Sequence, residues 1–481
     1  MEAEPIEAVA AVVSASGIAG RRLREIIARL IEGPAALEDL VRDFAVPRRT
    51  AEALLRAAGT DLDRDAGLVA LRASVRQAYR ERFRLPALEH RPQVTGMAEL
   101  IAGAPAADRE LDHVSATADT AERRAEWLAT TYDLAGAHLV CIGDHDLTSL
   151  AVRRACPDVA ITVVDVDERL LAYIDAQRAG IACFHADLRF GLPPVVAGSA
   201  DLIFTDPPYT PEGVQLFLGR GAQALRDRDN GRLVMAYGFS PLTPALGLKV
   251  QRAVLDLDLV IEAMLPAFNR YHGAQAVGSA SDLYVCRPTP HAWQILDRRL
   301  DRLAGAANIY THGSQSLEGA ARTGPARILG GGPLNAPEVT VDLSADPGPW
   351  LARVLIALNA PSVRLLVPNN HPDLRDEPAQ VALRSLVAAK YDLRLLRSQP
   401  GPREAIVEAA RRSGGPVAAE WLLTHAHGKL GNVLREALLR ADPSLSRGEA
   451  QARAAEAIGP DHLDARLLDL PRHAIARLLT L

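Results

Sequence analysis

The sequence predicts an α/β fold: a Rossmann-like sheet, preceded by a winged-helix-like unit and followed by a smaller α/β unit. Three observations carry this. From residue 138 onward, short apolar runs alternate with helical stretches. Upstream, residues 21–71 read as helices separated by a tight break and followed by a turn. A Gly/Pro-rich stretch, TGPARILGGGPLNAP (323–337), parts the alternating region from a second one. Units over 1–90, 91–322 and 338–481 follow, a division that suits 481 residues.

The first unit opens with RRLREIIARLIE (21–32), an amphipathic helix. ALEDLVRDFAVPRRTAEALLRAAG then gives a helix, a break at Val46-Pro47 and a second helix, and DLDRDAGLVAL a turn into a short strand. This order resembles a winged helix, either a DNA reader or a packing and dimerisation module. Residues 1–90 carry 14 arginines and 14 acids, so they present no basic excess for a phosphate backbone. The whole chain has a formal charge of −5. Nucleic acid is therefore not the expected partner.

In the second unit the runs HLVCIG, AITVVD, IACFHAD, DLIFTD and RLVMAY, then LVIEAML and DLYVCR, read as strands. Alternation with helices implies a parallel sheet covered on both faces. Right-handed crossovers put the strands' carboxyl ends along one edge, where ligands bind. The third unit contains VTVDL, SVRLLVP and YDLRLLRS as strands, then helices. HAHG (425–428) reads as helix surface rather than half a metal site. The four cysteines form no C-x-x-C pair, which fits buried thiols in a reducing cytoplasm. No apolar run reaches spanning length, and acids at the start argue against a secretory leader. A cytoplasmic protein is expected.

Four strand ends carry acids: Asp144 and Asp146 after Gly143, Asp165 and Asp167, Asp187, and Asp206 in FTDPPYT. Two like charges 4 Å apart repel by about 4 kcal/mol at an effective dielectric of 20. Such a rim repels phosphates and favours a cation, so a sulfonium nucleoside fits better than a dinucleotide. Asp165 is placed for ribose hydroxyls and Asp187 for an adenine amino group, while Asp167 reads as a helix cap. Pro207 and Pro208 stiffen the turn that presents Asp206 to an amine, and Tyr209 offers a stacking face. Asp144 and Asp146 would bind the donor's ammonium or the acceptor. They disfavour a donor carboxylate unless an arginine offsets them. Asn269, Tyr271 and Asp282 would form an acceptor wall, and Arg124 and Trp127 a cover for the nucleoside. No metal is required.

RRAEWLATTYDLAGAHLVCIGDHDLTSLAV, ITVVDVDERLL, DLIFTDPPYTPEGVQLFLGRG and FNRYHGAQAVGSASDLYV, in this order over roughly residues 112–315, resemble the branched-chain polyamine synthases. The resemblance implies a methyltransferase-type sheet. It also implies aminopropyl transfer from decarboxylated S-adenosylmethionine to a polyamine nitrogen, with methylthioadenosine released, and a homodimer. The family's glycine–triple-aspartate loop matches Gly143, Asp144, His145 and Asp146, with His145 in place of one aspartate. That exchange removes a charge near the expected amines. Two alternatives stay open: a nucleic-acid N-methyltransferase using S-adenosylmethionine, and a non-catalytic DNA-binding regulator that senses polyamine.

Overall fold

The computed structural model describes all residues except 1–3, 90, 304–308, 311–322, 333, 335, 345–349 and 413. Helices Pro5–Ala15, Arg21–Glu32, Leu37–Phe44 and Arg48–Ala58 precede a hairpin of β2 (Leu62–Asp65) and β3 (Leu68–Leu71). With β1 (Ala35–Ala36) this makes a three-stranded antiparallel sheet. Leu23, Ile26, Ile27 and Leu30 recur at helical spacing and join Leu40, Leu54 and Leu71 in a core of their own.

The central sheet contains β4 (His138–Ile142), β5 (Ala160–Asp165), β6 (Ala182–His185), β7 (Leu202–Thr205), β8 (Arg232–Tyr237), β9 (Leu259–Arg270) and β10 (Ala280–Pro288). Their order is β6-β5-β4-β7-β8-β10-β9. This is a Rossmann-like arrangement of the methyltransferase type. An entirely parallel sheet was the expectation; β10 instead runs antiparallel to β8 and β9. The linker between β9 and β10 is too short for the crossover that a parallel pair needs.

The chain reverses direction across the sheet between β5 and β7, on either side of β4, so the ligand crevice lies beyond their carboxyl ends. Register sharpens this. Ile142 pairs with Val164 and with Thr205, so the next row across the sheet holds Gly143, Asp165 and Asp206.

Helices Ala118–Thr131 and Thr148–Ala155 pack on one face, around Leu139, Cys141 and Val163. Helix Pro211–Ala224 packs on the other, and its apolar layer continues through Trp350, Leu355 and Leu365 to Leu478. Residues 338–481 therefore share a core with the central sheet, whereas the first eighty-odd residues, Ile18 apart, keep a separate one. Their strands are β11 (Glu338–Asp342), β12 (Ser362–Pro368), β13 (Tyr391–Arg397) and β14 (Glu404–Arg411), in the order β11-β12-β14-β13.

Three further expectations need correction. EAIVEAAR (404–411) is a fourth strand beyond the three expected in this region: pairing with β12 and β13 on both sides overrides the helix preference of Glu, Ala and Arg. The Gly/Pro-rich stretch begins as helix Thr323–Gly330. Cys156 follows a helix, unlike the other three cysteines, which are buried in strands. No described helix is long and apolar enough to cross a membrane.

Candidate active site

A cavity of about 600 Å³ opens at the carboxyl edge of the sheet. Gly143, Asp144, His145, Asp146, Asp165, Asp206, Pro207, Pro208, Tyr209 and Tyr271 all line it. Its remaining wall is largely apolar, with Leu111, Val164, Leu188, Phe217 and Tyr310 among the contributors.

Local sequence explains each placement. After β4 the chain turns at Gly143, whose φ of +71° is unstrained only for glycine, and a Cβ there would lie 3.3 Å from Phe217. The turn brings the Asp144 N–H onto Asp165 Oδ2 at 3.1 Å, and the Ser149 N–H donates to the Asp144 carboxylate at 3.2 Å. Asp165 Oδ1 accepts from the Asp167 N–H at 2.8 Å. Asp167 caps the following helix and pairs with Arg169, as its position before ERLL suggested. Beyond Asp206, Thr210 caps helix Pro211–Ala224, which fixes the far end of the proline turn.

Arg124 organises the Asp206 end of the cavity. It is fully buried and reaches five side chains at once, Thr148 Oγ1 being the most distant at 3.3 Å. Its Nε donates to Asn269 Oδ1 at 2.7 Å, Nη1 to Asp146 Oδ2 at 2.9 Å, and Nη2 to Asp206 Oδ2 at 2.8 Å and to the Tyr271 hydroxyl at 3.2 Å. Burial opposes its charge, but Tyr271, Asp146 and Asp206 outweigh that and raise its pKa above the ordinary value. Tyr271 donates to Asp206 Oδ2 at 2.7 Å, and Tyr209 donates to Tyr271 at 3.2 Å. Burial pushes the pKa of Asp206 upward; Arg124 and Tyr271 pull against it. Asp146 also accepts the Ala116 N–H at 2.7 Å, which ties residues 115–117 to the site.

The carboxylates beyond β4 and β5 are held differently. Burial pushes Asp144 up to about 8, against the opposing hydrogen bonds from Ser149. It pushes Asp165 up to about 6, against the two backbone N–H groups. Among the described residues no lysine or arginine pairs with either. Beside them His145 stacks on His113, with centroids 4.3 Å apart and planes 15° apart, and meets Ser115 Oγ at 3.2 Å. Burial lowers the pKa of both imidazoles, and each neighbouring positive charge would be unfavourable for the other, so the pair is neutral near pH 7.

Several expected roles do not match this geometry. Asp187 does not line the cavity: its carboxylate takes a fork from Arg189 at 2.6–3.1 Å and the Trp350 Nε1–H at 3.1 Å, which leaves no free oxygen turned to an adenine. Asp282 accepts the Ala267 N–H at 2.7 Å, across the irregular register of β9 and β10, and lies outside the cavity wall. Trp127 packs edge-on against Tyr132 and Phe268, again away from the cavity. Asn269 is entirely buried and acts on the site only through Arg124 and Ser281. The charge argument against a donor carboxylate also weakens, because Arg124 supplies the offsetting arginine at Asp146.

Arg124, expected to cover the nucleoside, instead bridges Asp146 and Asp206. The signal was there: Thr120, Ala121, Arg124, Ala125 and Leu128 form the buried stripe of helix Ala118–Thr131. An arginine on an apolar stripe must bring carboxylates with it. His113, Ser115 and Tyr310 carried no comparable signal.

Apart from Tyr310, the cavity residues named above lie between residues 94 and 296. Residues 94–296 match the profile described as Branched-chain polyamine synthase A C-terminal domain. An uncharacterized protein of Methanocaldococcus jannaschii is 35% identical over 181 residues, covering 37% of this chain and 45% of that protein. The N(4)-bis(aminopropyl)spermidine synthase of Thermococcus kodakarensis is 30% identical over 181 residues, covering 36% of this chain and 51% of the relative. The chain thus spans about half the length of the curated relatives it matches. Among solved structures, the branched-chain polyamine synthase from Thermus thermophilus, in complex with N4-aminopropylspermidine and 5'-methylthioadenosine, aligns at 22% identity and a TM-score of 0.36, covering 59% of this chain and 92% of that one. Over residues 94–296, the chain is thus similar to the C-terminal domain of branched-chain polyamine synthase A.

Proposed function

We propose that the protein is an aminopropyltransferase that moves an aminopropyl group from decarboxylated S-adenosylmethionine to an aliphatic amine of the polyamine class. The observation that carries this reading is the shared cavity of Asp144, Asp165 and Asp206, within the segment that matches the family. Two of its buried carboxylates have no cationic partner among the described residues, and a sulfonium ion supplies one.

In this reading Asp165 receives ribose hydroxyls, and Gly143 lets the donor approach the backbone. Asp187 is not assigned to the adenine; the flanking Ala186 and Leu188, which line the cavity, take that edge. Asp206, held by Arg124 and Tyr271, orients the acceptor and accepts the proton that an ammonium must lose before attack. The freed nitrogen lone pair forms the new N–C bond. The C–S bond breaks with its electron pair going to sulfur, and neutral methylthioadenosine leaves. Positioning can supply much of the rate, because the leaving group is already good. Asp144 and Asp146 hold the amine side of the two substrates, with Pro208 and Tyr209 as the wall and His145 setting the charge of the acceptor path.

Residues 1–90 are read as a winged-helix-like module for packing, 91–322 as the transferase unit and 338–481 as an α/β unit. The separate core and the hairpin support the first of these. One observation favours a second reading, S-adenosylmethionine as donor: the Arg124–Asp146 pair removes part of the repulsion toward a carboxylate. Incubation with each donor and a panel of amines, followed by mass spectrometry, separates the two. The aminopropyl reading requires methylthioadenosine and a product heavier by one aminopropyl unit. A product heavier by one methyl group contradicts it.

A further inference from the structure

We propose that Trp350 and Arg353, from the region beyond the family segment, are positioning residues for the nucleoside half of the cavity; the proposal rests on the transferase reading. They grip the two loops that carry that half. Glu168 lies three residues past Asp165, at the start of the helix after β5. One of its oxygens takes the Arg353 guanidinium, and the other accepts the Arg472 backbone N–H at 2.8 Å. Asp187, two residues past β6, accepts the Trp350 indole N–H at 3.1 Å. The Arg189 guanidinium lies over the Trp350 ring at 4.9 Å, and Phe190 packs edge-on against that ring at the same separation.

These grips stand next to the ligand surface. Asp165 and Val166 on the first loop, and Ala186 and Leu188 on the second, line the cavity. The Ala186 N–H donates to the Asp165 carbonyl at 3.0 Å, which ties the two loops to each other. Trp350 and Arg353 are almost wholly buried, as are Asp187 and Arg189. Burial opposes the charge of Glu168, yet Arg353 and His185 hold its pKa down at about 2, so the grip on the first loop stays ionic through the working pH range. Asp187, which the sequence placed against adenine, is instead the handle by which the C-terminal region holds the adenine loop. A carboxylate one residue from two wall residues transmits small displacements, and misplacement of about 1 Å is costly at a reacting site.

The test uses the full chain with Trp350→Phe, Arg353→Met, Arg353→Lys and Glu168→Gln, and Arg394→Ala on exposed β13 as control. Calorimetric binding of 5'-methylthioadenosine and steady-state kinetics are measured beside the melting temperature. Trp350→Phe, Arg353→Met and Glu168→Gln are each expected to raise the Kd and the donor KM by roughly tenfold. Amine KM should stay unchanged, and Arg353→Lys should recover part of the loss. A lower melting temperature with Kd within about twofold of the parent means a merely structural contact and overturns the proposal. Should Arg353→Met fail to fold, Trp350→Phe and Glu168→Gln decide alone. Failure of the parent protein to bind methylthioadenosine contradicts the transferase reading instead, whereas normal parent binding with unaltered variants contradicts the brace alone.

Discussion

At one end of the cavity Asp146 and Asp206 share the guanidinium of Arg124; at the other, Asp144 and Asp165 have backbone N–H groups and no side-chain cation among the described residues. Both ends bury carboxylates, but they tolerate the charge by different means. The first end is paired and therefore fixed before any ligand arrives. Burial raises carboxyl pKa values at both ends, Asp206 to about 7 included, but the second end has no built-in counter-charge among the described residues, so a bound cation replaces a proton there. Pre-organisation belongs where the nucleophile is aimed, and unsatisfied negative charge belongs where a sulfonium or ammonium is bound.

The largest expected effect comes from breaking the paired end. Arg124→Gln leaves two buried carboxylates uncompensated and should cost about 3–5 kcal/mol of stability. Chemical denaturation measures this, and kcat/KM should fall with it, because Asp206 loses the group that holds it. Asp206→Asn keeps the turn and a hydrogen-bond acceptor but removes the base; a loss of about 100-fold or more in kcat with a near-normal melting temperature is expected.

The other end answers to pH over a wider interval, which brackets Asp206 at about 7. Asp144 and Asp165 have raised pKa values of about 8 and about 6. Their protonated forms favour the ligand-free fold; that contribution is complete below the ordinary carboxyl value near 4 and is lost as pH rises through about 6 and then about 8. A cationic donor selects the ionised forms, so its affinity should rise over the same interval and binding at pH 7 should release protons. Calorimetry in two buffers of different ionisation enthalpy reads the release directly. Proton uptake, or an affinity that is flat with pH, goes against the comparison.

Smaller effects test the boundary between the ends. His145→Asp restores a negative charge next to the acceptor path and should lower the KM for a triamine by roughly fivefold, with little change in donor KM. Asp282→Asn should leave kinetic constants within about twofold and cost about 1 kcal/mol of stability, because Asp282 serves the Ala267 N–H rather than the cavity.

The strand-end acids were legible because apolar runs stop at them, and strand register then delivers Gly143, Asp165 and Asp206 to one row. Their presence at the edge follows from handedness alone. What each carboxylate touches does not. Asp187 satisfies the same sequence rule as Asp165, yet Trp350, 163 residues away, claims it. Arg124 works from a helix before the first central strand, and only tertiary packing brings it between Asp146 and Asp206. Likewise, the helix-favouring letters of β14 gave way to two flanking strands. Local pattern marked where chemistry sits; long-range contacts decided which groups are free to perform it.

The central claim is that this edge transfers an aminopropyl group between a sulfonium nucleoside and an amine. Mass spectrometry of reactions containing decarboxylated S-adenosylmethionine and a polyamine panel tests it most directly. Methylthioadenosine is expected together with an amine enlarged by one aminopropyl unit, both lost in Asp206→Asn. Methylated product formed from S-adenosylmethionine, with decarboxylated donor left intact, would contradict it.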